Sequence, residues 1–402
     1  MIDLRKIALW PVGGGSPEPP VPPVPPGPDY PDANGDVRFI DYDGTLLYSY
    51  TKEDFLALEE LPAAKVQPGF AFLGWNWPLA DAKAVVADVG KLTIGQLCGP
   101  SDGKTKLYIF AVAYYSYNLN IAQEVDGAVT IDWGDGSPVE AVSGTGPVQM
   151  SHGYAADGRY VITIDVSEGT CRLGYSRIFG EYDMYILRGA VFADNCILNQ
   201  NAFNGANYLE FVANPHYDYA DAVFDYCYAL KALVLNGQNL MGFELNNCTS
   251  LKEVSIPPKG IYYFRSNAFN GCHALKTPIV LPAGVGIEGG FNCGYCESME
   301  EFYIQGNNDY LIAIRMYMFY SSSLRKITLP ANVYQIEDNA FYGCYCLQEI
   351  TLLSDTPPTL LSDAIPQYIE RIYVPAAAVD AYKAATNWSA FADRILPIPV
   401  NE

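Results

Sequence analysis

The stretch LRKITLPANVYQIEDNAFYGCYCLQEITL, residues 324–352, contains one complete sequence unit and the start of the next. It opens with LRKITL and closes with LQEITL, and both segments alternate apolar and polar residues. Between them lies AFYGC, whose Phe341 stands six positions before the second leucine, Leu347. Alternation of this kind predicts a β-strand, and its return after 23 residues predicts a repeat.

The same unit recurs through the C-terminal half of the chain. An apolar residue stands six positions before an apolar residue that opens a strand, in the pairs Phe203/Leu209, Phe224/Leu230, Leu245/Leu251, Phe269/Leu275, Cys293/Met299, Met318/Leu324 and Phe341/Leu347. The successive units are 21 to 25 residues apart, which is the leucine-rich-repeat range. A degenerate copy precedes them near Leu187, and a strand-only copy begins at Ile369. Because one unit cannot bury its own apolar face, we expect a stacked solenoid with a parallel β-sheet.

These repeats closely resemble the BspA-like leucine-rich repeats of bacterial surface proteins. The tail IERIYVPAAAVDAYKAATNWSAFADRILPI, residues 369–398, resembles the closing segment of that family. The resemblance covers about 210 residues, over half the chain. It implies a non-enzymatic adhesion or recognition role at a surface.

A second module precedes the repeats. Residues 129–137 (VTIDWGDGS) and 151–166 (SHGYAADGRYVITIDV) contain alternating strands and a glycine-rich turn. Together they resemble a β-sandwich of the polycystic-kidney-disease (PKD) type, although WGDG departs from that family's WxFGDG. Asp132, Asp135 and His152 allow either a hydrogen-bonded turn network or a metal site, and we favour the turn.

The N-terminal third divides into a spacer and a small α+β module. Residues 16–29 are proline-dense and favour a semi-rigid polyproline II linker. Asp43-Gly44 predicts a hairpin turn, Thr51 heads a short helix, and residues 78–90 predict a second helix that ends at a glycine. The chain is therefore expected to be mainly β and multidomain, with a linker (1–36), a small α+β module (37–105), a PKD-like sandwich (106–170) and a leucine-rich-repeat solenoid with a C-terminal cap (171–402).

One motif suggests an enzyme. Residues 41–45 read DYDGT after an apolar strand, which matches the DxDGT nucleophile motif of haloacid-dehalogenase-type phosphatases. That family needs a parallel sheet with alternating helices, and helical periodicity is nearly absent after Leu107. We therefore interpret Asp41 and Asp43 as part of a turn and expect no catalytic residues.

Charge and composition narrow the classes of partner. The net charge of -21 disfavours nucleic acid and anionic membranes, and no apolar run is long enough to span a bilayer. The residues after Met1 lack a signal-peptide pattern. With three histidines in the chain, we expect neither a metal nor a cofactor.

The ten cysteines follow the repeat. Five of them, Cys227, Cys248, Cys272, Cys296 and Cys344, recur three residues before the strand position. A buried thiol suits such a column, so we expect structural thiols and leave disulfides and zinc as alternatives.

Tyrosine is unusually abundant, with 31 residues in the chain. Surfaces that adapt to a binding partner are rich in tyrosine, asparagine and serine. The candidate ligand-binding residues are Tyr217, Tyr219, Tyr226, Tyr228, Tyr262, Tyr263, Tyr295, Tyr303, Tyr310, Tyr317, Tyr320, Tyr342 and Tyr345.

The sequence thus favours a surface recognition protein that binds a protein or glycan receptor through its solenoid. It would act outside the cell, either as a bacterial adhesin or as a phage tail receptor-binding protein attached to a virion or cell envelope through its N-terminus. The alternatives are a structural spacer without a ligand and, less favoured, the phosphatase.

Overall fold

The structure is a computed structural model, and its strands outnumber its few short helices. It describes residues 35–122, 129–142, 147–174, 177–180, 182–217, 223–237, 240–282, 286–287, 291–305 and 312–399. The mainly β class predicted from the sequence is confirmed: a sandwich-like region is followed by a parallel solenoid of about nine turns.

The first unit is a four-stranded sheet with two helices. Its strands have the order β2-β1-β4-β3, with bounds β1 (Val37–Ile40), β2 (Leu46–Tyr50), β3 (Phe70–Trp75) and β4 (Leu92–Pro100). The predicted hairpin is confirmed, since β1 and β2 pair antiparallel and Gly44 has a φ of 86°. Both predicted helices form, as α1 (Lys52–Ala57) and α2 (Leu79–Val89). The Thr51 side chain caps the first by accepting from the Asp54 N–H, and left-handed Gly90 ends the second.

The sandwich follows directly. Two sheets enclose Trp133, Tyr154 and alternate residues of strands β5 (Thr105–Ala111), β6 (Ser116–Ala122), β7 (Val129–Asp132), β8 (Glu140–Val142), β9 (Val148–Gly153) and β10 (Gly158–Val166). One sheet has the order β5-β10-β7-β8, and in the other β6 pairs with β9.

Both sheets of the sandwich continue into the solenoid without a break. The next strands are β11 (Cys171–Leu173), β12 (Leu187–Val191), β13 (Cys196–Leu198), β14 (Phe211–Ala213) and β15 (His216–Tyr217). Strand β12 joins β5 antiparallel and β11 joins β6 antiparallel, and β14, β13 and β15 then add in parallel. One buried core therefore runs from Leu107 to Ile395.

The remaining turns of the solenoid extend two stacks of short parallel strands. One stack contains β16 (Ala232–Val234), β18 (Glu253–Ser255), β20 (Ile279–Leu281), β22 (Glu301–Ile304), β24 (Lys326–Leu329), β26 (Glu349–Leu352), β28 (Arg371–Val374) and β29 (Ile395–Pro397). The other contains β17 (Leu240–Phe243), β19 (Ile261–Phe264), β21 (Gly286–Ile287), β23 (Ile312–Ile314), β25 (Val333–Ile336) and β27 (Thr359–Leu360). Helix α3 (Val379–Ala384) and buried Trp388 close the C-terminal end, where the Trp388 indole donates to the Pro358 carbonyl at 2.8 Å.

Aromatic residues stack from turn to turn inside the solenoid. The rings of Phe319 and Phe341 are parallel, with centroids 5.3 Å apart, and the Phe319 N–H donates to the Ala340 carbonyl. Phe319, not Met318, is therefore the equivalent of Phe341. The sequence alignment was wrong there by one residue, because this turn is one residue shorter between Ser322 and Leu324.

The cysteine column is confirmed as a row of buried free thiols. Each Sγ contacts a carbonyl oxygen of the preceding turn at 2.8–3.3 Å, as in Cys296 to Phe269 and Cys344 to Phe319. Each of these carbonyls also accepts from a backbone N–H three residues later, so the weak S–H donor adds a second hydrogen bond to a buried carbonyl.

The α+β module packs against the outward face of the first strand stack. Where the module lies, the outward residues are small or apolar, as at Val234, Ser255 and Val280. Asn76 donates to the Leu235 and Ser255 carbonyls at 3.1 and 3.2 Å. Beyond the module the same face becomes charged, with the row Lys326, Glu349 and Arg371 linked by ion pairs.

Candidate recognition surface

Seven successive turns share a left-handed residue two positions after the core aromatic position. The φ angles there lie between 52° and 80°, at Gly205, Tyr226, Asn247, Gly271, Tyr295, Ser321 and Gly343. Left-handed geometry directs the backbone N–H of this residue at the next turn. The Tyr295 N–H, for example, donates to the Tyr320 carbonyl at 2.7 Å.

Tyrosine is an unexpected residue in that column. A left-handed conformation costs a bulky residue about 1–2 kcal/mol, while glycine adopts it freely and asparagine tolerates it. Other turns of this chain use glycine or asparagine there, so the fold itself does not require Tyr226 or Tyr295. Tyr317 is also left-handed, with a φ of 61°, one turn before Asn339 at 58°. Strain retained at surface residues is a reason to look for a function there.

Four tyrosine side chains meet across three successive turns, and we call them the tyrosine cluster: Tyr295, Tyr317, Tyr320 and Tyr342. The rings of Tyr320 and Tyr342 are parallel, with centroids 5.7 Å apart. The Tyr317 ring stands edge-on to both, at 5.7 and 6.5 Å, and Tyr295 meets Tyr320 at 5.0 Å. Tyr295, Tyr317 and Tyr342 are exposed by 44, 43 and 55%.

Further tyrosines extend this cluster along the solenoid. Tyr345 is 80% exposed and its ring lies 6.5 Å from that of Tyr368, whose hydroxyl donates to the Cys344 carbonyl. On the other side, Tyr226 and Tyr228 are both exposed and in contact with each other. We define the tyrosine ridge as the cluster together with Tyr226, Tyr228, Tyr345 and Tyr368.

The ridge offers aromatic faces and neutral hydroxyls. A hydrogen bond with Tyr320 raises the pKa of Tyr295, and burial raises the pKa of Tyr368 to about 12. Their hydroxyls therefore keep their protons at neutral pH. Such a surface can stack against flat apolar groups and can donate and accept hydrogen bonds at its edges.

Seven of the predicted site residues lie on this ridge, four of them in the cluster and three in the two separate pairs. They are Tyr226, Tyr228, Tyr295, Tyr317, Tyr320, Tyr342 and Tyr345. Tyr263 is half-buried on β19 and away from the exposed set. Tyr219, Tyr310 and the side chain of Tyr262 lie outside the described residues.

One predicted site residue is buried and a second is partly covered. Tyr217 is 4% exposed, since it ends the inward-facing strand β15 and its ring packs on Phe224. Tyr303 packs against the core of the α+β module, and its hydroxyl donates to Glu301 at 3.2 Å. The assignment of Tyr217 to an exposed surface was wrong, because it is a core residue, while Tyr303 is partly covered by the module.

Sequence reasoning missed Tyr368, which is 47% exposed. It directly precedes Ile369, where the sequence showed a strand-only copy. Extending that copy backwards by one residue would have included Tyr368 in the repeat.

The DxDGT segment forms a buried turn. The Asp41 carboxylate accepts from the Tyr42 N–H at 2.8 Å and lies near Gln96 and Cys98, with 1% of the residue exposed. Burial raises its pKa to about 6. Asp43 accepts from the Thr45 N–H at 2.9 Å within the hairpin. The surrounding four-stranded sheet is mixed and not a doubly wound parallel one.

The predicted turn network of the sandwich is confirmed. His152 Nε2 lies 2.8 Å from the Asp135 carboxylate, and its ring stacks on Trp133 with centroids 4.7 Å apart. Asp132 accepts from the Gly134 N–H. Over the described part of the chain, no group of three or more His, Cys, Asp or Glu side chains is placed to hold a metal ion.

Comparisons with known proteins support the repeat type predicted for the solenoid. Among the described residues, none of the helices has the length and apolar character that a membrane span requires. A search of curated proteins gave no match to the chain. Residues 193–287 and 312–359 match, in six copies, the family described as BspA type leucine-rich repeat region, so the solenoid carries repeats of this type.

Proposed function

We propose that this protein is a recognition protein that binds a protein or glycan receptor on a cell surface through the tyrosine ridge. The observation that carries the proposal is the strained, exposed tyrosine at positions where neighbouring turns use glycine or asparagine. The four rings of the tyrosine cluster contact one another across three turns, and the pairs Tyr226/Tyr228 and Tyr345/Tyr368 add two separate aromatic contacts on the same solenoid. Rigid aromatic side chains give large contact area at low entropic cost.

The sandwich and the proline-rich segment would then serve to present the solenoid. In this proposal the sandwich is PKD-like, and the N-terminal residues attach the protein to a cell envelope or to a virion. A bacterial adhesin and a phage tail protein are both compatible with this arrangement. In either setting the protein acts outside the cell. A structural spacer without a ligand is the competing proposal.

A binding screen tests the proposal. The full chain would be applied to a glycan array and to intact bacterial and mammalian cells, beside a Tyr320→Ala/Tyr342→Ala variant. Tyr182→Ala is the matched control, because Tyr182 is 84% exposed and lies outside the ridge. We expect saturable binding that the double variant weakens and the control leaves unchanged. Equal binding by all three proteins would refute the role of the ridge, and an absence of binding would favour the spacer.

A further inference from the structure

A cleft lies where the α+β module meets the outward face of the solenoid. Its volume is about 320 Å³, which is near the lower end of the range of about 300–1,000 Å³ for small-molecule sites. The module contributes Asp36, Arg38 and Lys91, and the solenoid contributes Lys276. Interfaces between structural units are frequent places for ligand sites. The size suits one sugar or a metabolite of similar size.

The charge of the cleft contrasts with that of the chain. Three cationic side chains and one carboxylate line it, in a protein of net charge -21. Lys91 is paired with Glu301 at 2.6 Å. Lys276 is exposed and has no ion pair within the residues that the structure describes. The cleft therefore keeps a free ammonium group at its rim.

Arg38 is only partly used by its protein partner. Its Nη1 donates to both carboxylate oxygens of Glu253, at 2.8 and 2.9 Å. Its Nε is buried and finds no acceptor among the described residues. A guanidinium carries five N–H donors, and Nη2 of Arg38 has no acceptor among the described residues. This nitrogen is therefore available to an oxygen of an oxyanion.

We propose that the cleft binds an oxyanion, namely a carboxylate, sulfate or phosphate group carried by a small molecule or a single sugar. Arg38 contacts the oxyanion through Nη2, and Lys276 contacts it from the solenoid side. Because the two contacts come from different structural units, the ligand also strengthens the docking of the module. The site is separate from the tyrosine ridge and does not depend on its function.

Calorimetric titration of the full chain with sodium sulfate, phosphate, glucuronate and glucose tests this site. The matched pair of variants is Lys276→Gln and Lys252→Gln. Lys252 is exposed and opens the equivalent strand one turn earlier, but it does not line the cleft. Both substitutions remove one exposed positive charge. A loss of affinity in Lys276→Gln alone would therefore come from the cleft and not from the change in net charge.

We expect at least one of the three oxyanions to bind saturably and glucose not to bind. Lys276→Gln should weaken that affinity about tenfold, and Lys252→Gln should leave it unchanged. Tighter binding of glucuronate than of the inorganic ions would identify a sugar acid as the carrier. The reverse order would identify a sulfate or phosphate ester. The inference is overturned if no oxyanion binds saturably, if glucose binds as well as glucuronate, or if the two lysine variants lose affinity equally.

Discussion

The left-handed tyrosines predict an unusual effect of glycine on stability. At Tyr295 we compare Tyr295→Ala with Tyr295→Gly in the full chain. Both variants lose the edge contact with Tyr320 at 5.0 Å, which is worth about 0.5–1.5 kcal/mol. Alanine keeps the cost of the left-handed backbone at a φ of 58°, while glycine removes it. After allowance for the greater entropy of unfolded glycine, the glycine variant should be more stable than the alanine variant by about 1 kcal/mol.

The expected order of stability is therefore alanine lowest, with glycine close to the wild type. Chemical denaturation followed by far-UV circular dichroism measures the shift in the transition that involves the solenoid. Tyr342→Ala and Tyr342→Gly provide the control pair, because Tyr342 is not among the left-handed residues. There alanine should be the more stable of the two. Alanine at 295 equal to or more stable than glycine would refute the argument that Tyr295 is held under strain.

Three further predictions concern groups outside the ridge. Burial raises the folded-state pKa of Asp41 from 3.8 to about 6, so its stabilising contribution is fully present below pH 3.8 and is lost as the pH rises through 6. A pKa difference of about two corresponds to about 3 kcal/mol. Asp41→Asn should therefore raise the free energy of unfolding at pH 8 by about 1–3 kcal/mol and make it less dependent on pH. Equal pH profiles of the variant and the wild type would contradict this. Cys296→Ala should cost about 1 kcal/mol more than Cys296→Ser, since serine keeps a donor to the Phe269 carbonyl, and denaturation midpoints measure the difference. Arg38→Ala should speed hydrogen exchange in β4, because it leaves Glu253 without its cation. Adding Glu253→Gln to this variant should restore much of the protection. Unchanged exchange in both variants would show that the ion pair does not hold the module against the solenoid.

Much of the solenoid was predictable because its pattern is local. A leucine at the start of a strand and an aromatic residue six positions earlier define one turn of the solenoid. The next turn is defined by stacking on it. The same pattern failed at Phe319, because a one-residue deletion in a turn shifts an alignment made on the following leucine.

Contacts between distant segments could not be predicted from periodicity. The outward residues Val234 and Val280 are apolar because a module much earlier in the chain covers them, and the same module partly covers Tyr303. The joining of β12 to β5 is likewise long-range. It means that a fragment starting at residue 171 would cut both sheets, so binding is best measured on the full chain.

The tyrosine content of the sequence predicted only part of the tyrosine ridge. Abundant tyrosine indicated a binding surface, but it did not distinguish inward Tyr217 from outward Tyr345. The left-handed column does make that distinction for Tyr226 and Tyr295, but it is defined by backbone φ angles, which the residue pattern does not give.

The most direct test of the central claim is the binding of a double variant, Tyr295→Gly/Tyr317→Asn, to the cells or glycans that bind the wild-type chain. Glycine and asparagine are the residues that equivalent turns already use, at Gly271 and Asn339, so the solenoid should keep its stability. We predict an unchanged denaturation midpoint together with at least a tenfold loss of affinity, as for the removal of two aromatic hot-spot residues. Full affinity in the folded double variant would contradict recognition through the tyrosine ridge.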